Sequence, residues 1–172
     1  YYKDSHYICK DIFKKNFHII KFIIEYMSQH VAVLLLGSNI GIKENNIKLA
    51  LAKLETAGCE ILFTTNILES IPVEFDSSNN FCNIATSITV FISPFQLLQL
   101  VKKIELDMGR NQDSMALGKY TDRIIDIDIV TYSNITFHAK RLKIPHFKHL
   151  NERGFSKKLL IELEDLNKKH NL

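Results

Sequence analysis

A chain of 172 residues, of which 46% are hydrophobic and 24% are charged, has the composition of a single globular domain with a substantial core. Its net charge of +3, with both signs interspersed, is too small to indicate nucleic-acid binding by itself. The three cysteines, Cys9, Cys59 and Cys82, are odd in number and lack C-x-x-C spacing. This usage predicts reduced thiols in a cytoplasmic protein rather than a disulfide framework.

The first part of the chain differs from the rest, and we interpret residues 1–30 as an extension outside the folded domain. Residues 17–27 are rich in Ile and Phe, but Lys21 and Glu25 interrupt them, so this stretch is too short and too charged to span a membrane. No small-residue cleavage site follows that would mark a signal peptide. Met27 is a natural start for the domain, so the preceding segment is either the tail of a neighbouring domain or non-native sequence.

Apolar periodicity and turn residues predict a mixed chain that alternates strands with helices. In chain order we expect a strand over 31–36, a helix that carries Ile47, Leu51 and Leu54 and ends at Gly58, a strand within 60–71, a strand over 83–92, a helix from Pro94 to Gly109, an acidic strand over 123–130, a hairpin with a returning strand over 135–137, and a closing helix over 156–163. Polar loops cover 73–80 and 111–120. We place the folded domain at 31–166 and a polar tail at 167–172. The order β-α-β-β-α-β fits a split βαβ, ferredoxin-like core of the α/β (α+β) class.

The turn G-S-N-I-G, residues 37–41, joins the first predicted strand to the first helix. It matches neither the G-x-x-x-x-G-K-[ST] pattern nor the G-x-G-x-x-G pattern of phosphate-binding loops. A tight strand-to-helix connection is therefore the favoured interpretation.

The stretch R-I-I-D-I-D-I-V, residues 123–130, predicts a buried strand that carries an acidic pair. Side chains alternate along a strand, so Asp126 and Asp128 share one face while the isoleucines share the other. Two neighbouring carboxylates repel each other and need a positive partner, and Mg²⁺ prefers such oxygen ligands. The alternative is an exposed edge on which both aspartates are simply solvated. The flanking isoleucines and Arg123 favour a metal and phosphate site.

The segment K-Y-T-D-R-I-I-D-I-D-I-V, residues 119–130, resembles the signature of the 6-hydroxymethyl-7,8-dihydropterin pyrophosphokinase family of folate biosynthesis. Three further stretches agree in the same order: L-L-L-G-S-N-I-G over 34–41, I-E-L-D-M-G-R over 104–110, and R-L-K-I-P-H-F with N-E-R-G-F over 141–155. The resemblance runs from about Val31 to about Leu163. It implies an α/β/α sandwich around the ferredoxin-like core.

The resemblance implies that the β,γ-diphosphate of ATP is transferred to the hydroxymethyl oxygen of the dihydropterin, which leaves AMP. It implies two Mg²⁺ ions on Asp126 and Asp128, with Arg123 as the third catalytic residue. We expect Arg123 to clamp a phosphate, and the alternative is a salt bridge to one of the aspartates. The nucleotide-binding positions that the resemblance implies are Glu105, Lys119, Tyr120, Arg123, Ile129, Arg141, His146 and Arg153. Glu105 has an alternative interpretation as an ordinary solvated helix carboxylate.

The resemblance also implies a pterin site in which two aromatic rings enclose the flat ligand and an amide side chain reads its edge. Phe81 and Phe155 match the aromatic positions and Asn83 matches the amide. The other implied contacts are Ser70, Pro72 and Val73. Without the resemblance, both phenylalanines would be interpreted as core residues.

The chain departs from the family pattern in the loop before the acidic strand. Thr121 and Asp122 stand where the family has Gly or Ala followed by Pro, and Tyr120 replaces the usual Trp. Between Arg110 and Arg123 only Lys119 supplies a cation, and the loop is a few residues longer than usual. These differences predict an altered loop over ATP, which affects the rate more than the type of reaction.

Two other functions compete with the pyrophosphokinase. The first is a non-catalytic, nucleotide-binding ferredoxin-like module, a degenerate family copy, but a decaying copy should have lost part of the implied site. The second is an RNA-binding ferredoxin-like domain, which the missing K/R-G-F/Y-G/A-F-V-x-F/Y platform argues against. The expected partners are ATP and the hydroxymethyl-dihydropterin, with no nucleic acid and no membrane. The resemblance is compatible with a monomer and with fusion to, or adjacency with, another folate-pathway enzyme.

Overall fold

A computed structural model describes residues 29–73, 77–110 and 121–170. Its elements in chain order are β1 (His30–Ser38), α1 (Lys43–Thr56), β2 (Glu60–Thr64), β3 (Leu68–Ser70), β4 (Phe81–Val90), α2 (Pro94–Asp107), β5 (Asp126–Tyr132), β6 (Phe137–Ala139), β7 (Leu142–Ile144), α3 (Phe147–Asn151) and α4 (Gly154–His170). The predictions for residues 1–28 and for the 111–120 loop, with Lys119 and Tyr120, lie outside the described residues. None of the helices in the described ranges is both long and apolar enough to cross a membrane.

The main sheet has the strand order β2-β4-β1-β5, and β3 also pairs with β4. Every pairing in it is antiparallel. Helix α1 connects β1 to β2, and helix α2 connects β4 to β5. This is the split βαβ arrangement, so the ferredoxin-like prediction is confirmed. Strand β4 is central and all ten of its residues are buried, because helices cover both faces of the sheet.

Two hydrophobic clusters lie on opposite faces of this sheet. Alternation along β1 sends Leu34 and Leu36 into one cluster and Leu35 into the other. The first cluster is completed by α1 and α2, through residues that include Ile47, Leu54, Leu97 and Val101. The second is completed by Leu159 and Leu163 of α4. The predicted α/β/α sandwich is therefore confirmed, and each buried leucine contributes about 1.5–3 kcal/mol to its stability.

Helix α2 has well-defined ends that fix the residues beside the acidic strand. Ser93 accepts a hydrogen bond from the Gln96 N–H, the Gln96 side chain accepts one from the Ser93 N–H, and Pro94 occupies the first turn. At the other end Gly109 has φ +97°, a left-handed conformation that favours glycine and turns the chain toward β5. This turn brings Arg110 to β5.

Two predicted features near the C-terminus are wrong. The strand expected to return on β5 over 135–137 instead begins β6, which pairs with β7 in a separate two-stranded sheet. The chain leaves β5 at Ser133, whose φ of 44° redirects it, and β7 is anchored through the buried side chains of Leu142 and Ile144. Helix α4 is also longer than predicted, and residues 167–170 of the expected polar tail belong to it.

Candidate active site

A cleft of about 1200 Å³ opens beside β5, between the end of β1, the starts of β4 and β5, and the segment from β6 to α3. Most of the predicted site residues line it: Ser70, Val73, Phe81, Asn83, Arg123, Asp126, Asp128, Ile129, Arg141, His146, Arg153 and Phe155. Pro72 and Glu105 are not among the residues that line it. Residues far apart in the sequence thus meet around one space.

Strand β5 presents its two aspartates to this cleft as the alternation predicts. The isoleucines at 125, 127 and 129 are buried, whereas the side chains of Asp126 and Asp128 are 20% and 29% exposed. Because β5 pairs only with β1 in the main sheet, it is an edge strand. Asp128 stands opposite Leu35, so both aspartates lie on the face that α4 covers.

Two buried guanidinium groups hold Asp126. Arg110 contacts its Oδ1, and Arg123 Nη1 lies 2.9 Å from its Oδ2. The side chains of Arg110 and Arg123 are 7% and 8% exposed, so both ion pairs are largely shielded from water. The alternative interpretation of Arg123, a salt bridge to an aspartate, is therefore present in the structure.

Glu105 supports this cluster from behind β5. Its Oε1 accepts a hydrogen bond from the Ile127 N–H at 2.7 Å and lies 2.9 Å from Arg110 Nη1, while Oε2 lies 2.9 Å from Lys102 Nζ. Burial raises the pKa of Glu105, and the nearby Lys102 and Arg110 charges oppose that rise. Glu105 is 2% exposed, so its interpretation as a solvated carboxylate is wrong. Its contacts are those of a residue that positions β5 and Arg110.

A different set of groups surrounds Asp128. His149 Nε2 lies 2.9 Å from Asp128 Oδ2, and Arg153 Nη1 lies 3.9 Å from the same oxygen. Burial opposes ionisation of Asp128, but the hydrogen bond from His149 and the surrounding positive charges outweigh it, so the pKa of this carboxyl lies well below its usual range. The ring of His146 packs on that of His149 with centroids 4.4 Å apart. Burial and the neighbouring His149 lower the pKa of His146.

The backbone of Arg123 is hydrogen-bonded to the turn that follows β1. The Arg123 N–H donates to Asn39 Oδ1 at 2.7 Å, and the Asn39 N–H donates to the Arg123 carbonyl at 3.2 Å. Asp122 accepts hydrogen bonds from Asn39, Ser77 and Asn79, at 2.6, 2.6 and 2.7 Å. The G-S-N-I-G turn is thus the predicted strand-to-helix connection, and it also orders the entry to β5.

Five of the six residues predicted to bind the pterin, all except Pro72, line the cleft. Asn83 donates from Nδ2 to Ser70 Oγ at 3.0 Å and to the Leu68 carbonyl at 3.3 Å, which fixes its amide plane. A Cβ at Gly37 would lie 2.9 Å from Asn83 Oδ1, so only glycine fits there without displacing the amide. Phe81 is buried beneath the Arg123 guanidinium, at 5.5 Å, and Phe155 is half-buried. Arg123 therefore contacts both Asp126 and Phe81.

Sequence reasoning missed four residues of this arrangement: Lys102, Arg110, His149 and Asn39. Two of them were signalled, because Arg110 closes the I-E-L-D-M-G-R motif and Asn39 lies within G-S-N-I-G. Lys102 stands one helical turn before Glu105, a spacing that also fits an ordinary surface pair. No spacing signal identified His149, because its contact with Asp128 exists only after α3 folds over β5.

Comparison with known proteins decides the family. A model of the 7,8-dihydro-6-hydroxymethylpterin-pyrophosphokinase (HPPK) family matches residues 33–165. The chain belongs to this family. It is 35% identical over 129 residues to the 2-amino-4-hydroxy-6-hydroxymethyldihydropteridine pyrophosphokinase of Aquifex aeolicus, a match that covers 75% of this chain and 77% of that HPPK.

Several other relatives are longer proteins. The mitochondrial folate synthesis bifunctional protein of Arabidopsis thaliana is 34% identical over 136 residues, which cover 79% of this chain and 24% of that protein. The chain thus spans about a quarter of the length of such bifunctional relatives. A crystal structure of Plasmodium falciparum HPPK-DHPS A437G with STZ-DHP superposes with a TM-score of 0.55 at 16% identity, over 79% of this chain and 42% of that one. This likeness confirms the fold.

Proposed function

We propose that this chain transfers the β,γ-diphosphate of ATP to the hydroxymethyl oxygen of 6-hydroxymethyl-7,8-dihydropterin, giving AMP and the pterin diphosphate in folate biosynthesis. One observation carries the proposal. In a chain of the HPPK family, the residues that line a single cleft include the carboxylates of Asp126 and Asp128, a set of cations and the rings of Phe81 and Phe155. These are the groups needed to hold a metal-bound triphosphate next to a flat heteroaromatic acceptor.

The charge of the cleft fits a triphosphate. Its cationic lining residues outnumber the carboxylates Asp126, Asp128 and Glu152, and they are Lys102, Arg110, Arg123, Lys140, Arg141, Lys143, Lys148 and Arg153. A concave surface with such an excess of positive charge attracts a nucleotide and orients its phosphates. We therefore assign Arg123, Arg141, His146 and Arg153 to the phosphates, with Ile129, Lys119 and Tyr120 as further nucleotide contacts.

Asp126 and Asp128 offer the oxygen ligands that Mg²⁺ prefers, and we infer that they hold the two ions. The donor set fits, because both side chains reach the cleft and Asp128 Oδ1 accepts no hydrogen bond from any described residue. When bound, Mg²⁺ neutralises the triphosphate and polarises the bond that breaks. Arg110 and Arg123 contact the oxygens of Asp126, so an ion bound there would compete with both guanidinium groups for those oxygens.

The acceptor is assigned to the part of the cleft lined by Phe81, Asn83 and Phe155. Phe81 and Phe155 are proposed to enclose the pterin, and Asn83 is proposed to read its edge through Oδ1, because its Nδ2 is engaged with Ser70 and Leu68. Arg123 lies over Phe81 and beside Asp126, so it links the acceptor to the transferred group. The role of this chain is to bring the hydroxymethyl oxygen into line with the β-phosphorus.

The proposal extends to the compartment and the partners. Cys59 and Cys82 are free and buried, which fits a reducing cytoplasm. A relative is named mitochondrial, and several are named bifunctional folate synthesis proteins. We propose ATP and the dihydropterin as the small-molecule partners, either for a monomer or for a chain joined to another folate-pathway enzyme.

The test is an AMP assay on the full chain with Mg²⁺, ATP and the hydroxymethyl-dihydropterin. We expect one AMP for each pterin diphosphate formed, and no AMP when either the pterin or Mg²⁺ is omitted. ATP that binds without any AMP release would instead support the non-catalytic module. Omitting the pterin is the matched control, because it separates transfer from simple hydrolysis.

A further inference from the structure

We propose that Asp128, His146 and His149 form a binding site for a first-row divalent metal ion of the Zn²⁺ type. Each side chain offers one ligand atom, and these atoms all lie within 4.8 Å of one another. A tetrahedral zinc site separates its ligand atoms by roughly 3.4 Å. Small side-chain rotations therefore suffice to close the cluster around an ion. All three residues line the cleft, which gives an ion a route of entry.

His149 is already held in the orientation of a metal ligand. It is 2% exposed, and its Nδ1 lies 2.8 Å from the hydroxyl of Ser156, which is itself fully buried. Its Nε2 lies 2.9 Å from Asp128 Oδ2. In metal sites the second ring nitrogen of a ligating histidine is usually fixed by such a hydrogen bond. The ring therefore needs little reorganisation to bind an ion beside Asp128.

The contacts of this Nε2 atom conflict in a way that a metal ion would resolve. Toward Asp128 Oδ2 the atom needs a proton, whereas toward Arg153 Nη1, at 3.0 Å, it needs a lone pair. One nitrogen cannot satisfy both neighbours, since a guanidinium group only donates. A divalent ion in the position of the guanidinium would be ligated by both the imidazole and the carboxylate. Arg153 therefore opposes metal binding and has to move when the ion enters.

His146 completes the set from the N-terminus of α3. Its ring is half-buried and stacks on His149, and its Nδ1 accepts a long hydrogen bond of 3.4 Å from the His149 N–H. A bond of that length is weak, so turning the ring toward an ion costs little. Two imidazoles and one carboxylate suit Zn²⁺ or Co²⁺, whereas Mg²⁺ prefers oxygen ligands alone.

A consequence follows for the nucleotide, and this consequence rests on the proposed function. The histidine site shares Asp128 with the oxygen site proposed for Mg²⁺. Zn²⁺ and MgATP should therefore exclude each other, and saturating MgATP should weaken Zn²⁺ binding.

The test is calorimetric titration of the metal-free full chain with Zn²⁺, without ATP or pterin and with a thiol reductant that does not bind metals. We expect one ion per chain. His146→Gln and His149→Gln should each weaken Zn²⁺ binding by about tenfold or more, and His146→Gln should leave Mg²⁺ binding unchanged. Arg153→Gln should strengthen Zn²⁺ binding, because it removes an opposing charge. His138→Gln, an exposed histidine that lines the same cleft, is the matched control and should change nothing.

Co²⁺ is the second probe, because its visible spectrum reports its ligands. Unchanged Zn²⁺ affinity in both His146→Gln and His149→Gln, or an equal loss in His138→Gln, overturns the proposal. A thiolate-to-cobalt charge-transfer band also overturns it, since that band places the ion on a cysteine. If His149→Gln fails to fold, His146→Gln and Arg153→Gln decide between the same outcomes. None of these measurements depends on transfer, so their failure is distinguishable from failure of the AMP assay.

Discussion

Asp126 and Asp128 stand two residues apart on one face of β5, yet they lie in different electrostatic surroundings. Asp126 lies between the guanidinium groups of Arg110 and Arg123, which carry a permanent charge. Asp128 is held mainly by His149, and its Oδ1 accepts no hydrogen bond from the described part of the chain. The alternation of β5 places both aspartate side chains on the same face. The segments that pack against β5 give the two carboxylates different charged neighbours.

This difference shows how the site compensates the repulsion between two neighbouring carboxylates. The sequence alone indicates that two adjacent carboxylates destabilise each other. In the structure Asp126 contacts Arg110 and Arg123, and Asp128 Oδ2 lies 3.9 Å from Arg153 Nη1, so each carboxylate has a guanidinium group nearby before any ligand binds. Asp126 thus has both of its carboxylate oxygens in ion pairs, whereas Asp128 keeps Oδ1 without a hydrogen bond from the described residues.

The largest expected decrease in stability follows when either aspartate charge on β5 is removed. Asp126→Asn sets an amide against two buried guanidinium groups and should lower the free energy of unfolding by about 3 kcal/mol. Asp128→Asn loses mainly the contact with His149 and should cost about 1.5 kcal/mol. Chemical denaturation of the metal-free chain measures both values.

Asp165→Asn is the control for these two variants, because Asp165 is an exposed aspartate on α4. We expect it to leave the free energy of unfolding unchanged. Greater stability in either β5 variant would show that repulsion dominates. The reverse order of the two costs would show that the arginine pairs contribute less than the histidine contact.

A smaller loss of unfolding free energy is expected for a variant that disturbs only the residues around Asp128. Ser156→Ala removes the hydroxyl that orients His149 and leaves a buried imidazole nitrogen without its partner, at a cost of about 1 kcal/mol. Ser87→Ala is the matched control, since Ser87 is also buried but its hydroxyl has no hydrogen-bond partner in the described residues. Equal costs for the two serines would mean that the Ser156 hydroxyl does not orient His149.

The smallest expected change in stability concerns Asp122, whose carboxylate accepts hydrogen bonds from uncharged side chains. Hydrogen bonds from Ser77, Asn79 and Asn39 lower the pKa of Asp122. A lowered pKa in the folded state contributes stability above the ordinary carboxyl pKa, and this contribution is lost as the pH falls. The stability gap between the unchanged chain and Asp122→Asn should therefore be small at about pH 6 and shrink as the pH falls below the ordinary carboxyl pKa of about 4. Denaturation at several pH values measures it, and a gap that does not change with pH would contradict the assignment.

Periodicity was sufficient to predict most of the fold and the direction of the acidic pair. The alternation over residues 125–129 defines the two faces of β5, and Pro94 with Gly109 marks the ends of α2. What could not be predicted depends on tertiary contacts. The pairing of β6 with β7 follows from the turn at Ser133, and the placement of His149 on Asp128 follows from how α3 packs. Local sequence carries no signal for either.

The central claim is that Asp126 and Asp128 together carry diphosphate transfer. The most direct test measures AMP formation with Mg²⁺, ATP and the hydroxymethyl-dihydropterin in Asp126→Asn and Asp128→Asn, below the unfolding temperature of each variant, with Asp165→Asn as the control. The account predicts that both β5 variants lose roughly two orders of magnitude or more in rate, because neither carboxylate can replace the other in neutralising the triphosphate. The control should keep the full rate. Near-normal AMP formation in either folded β5 variant would contradict the account.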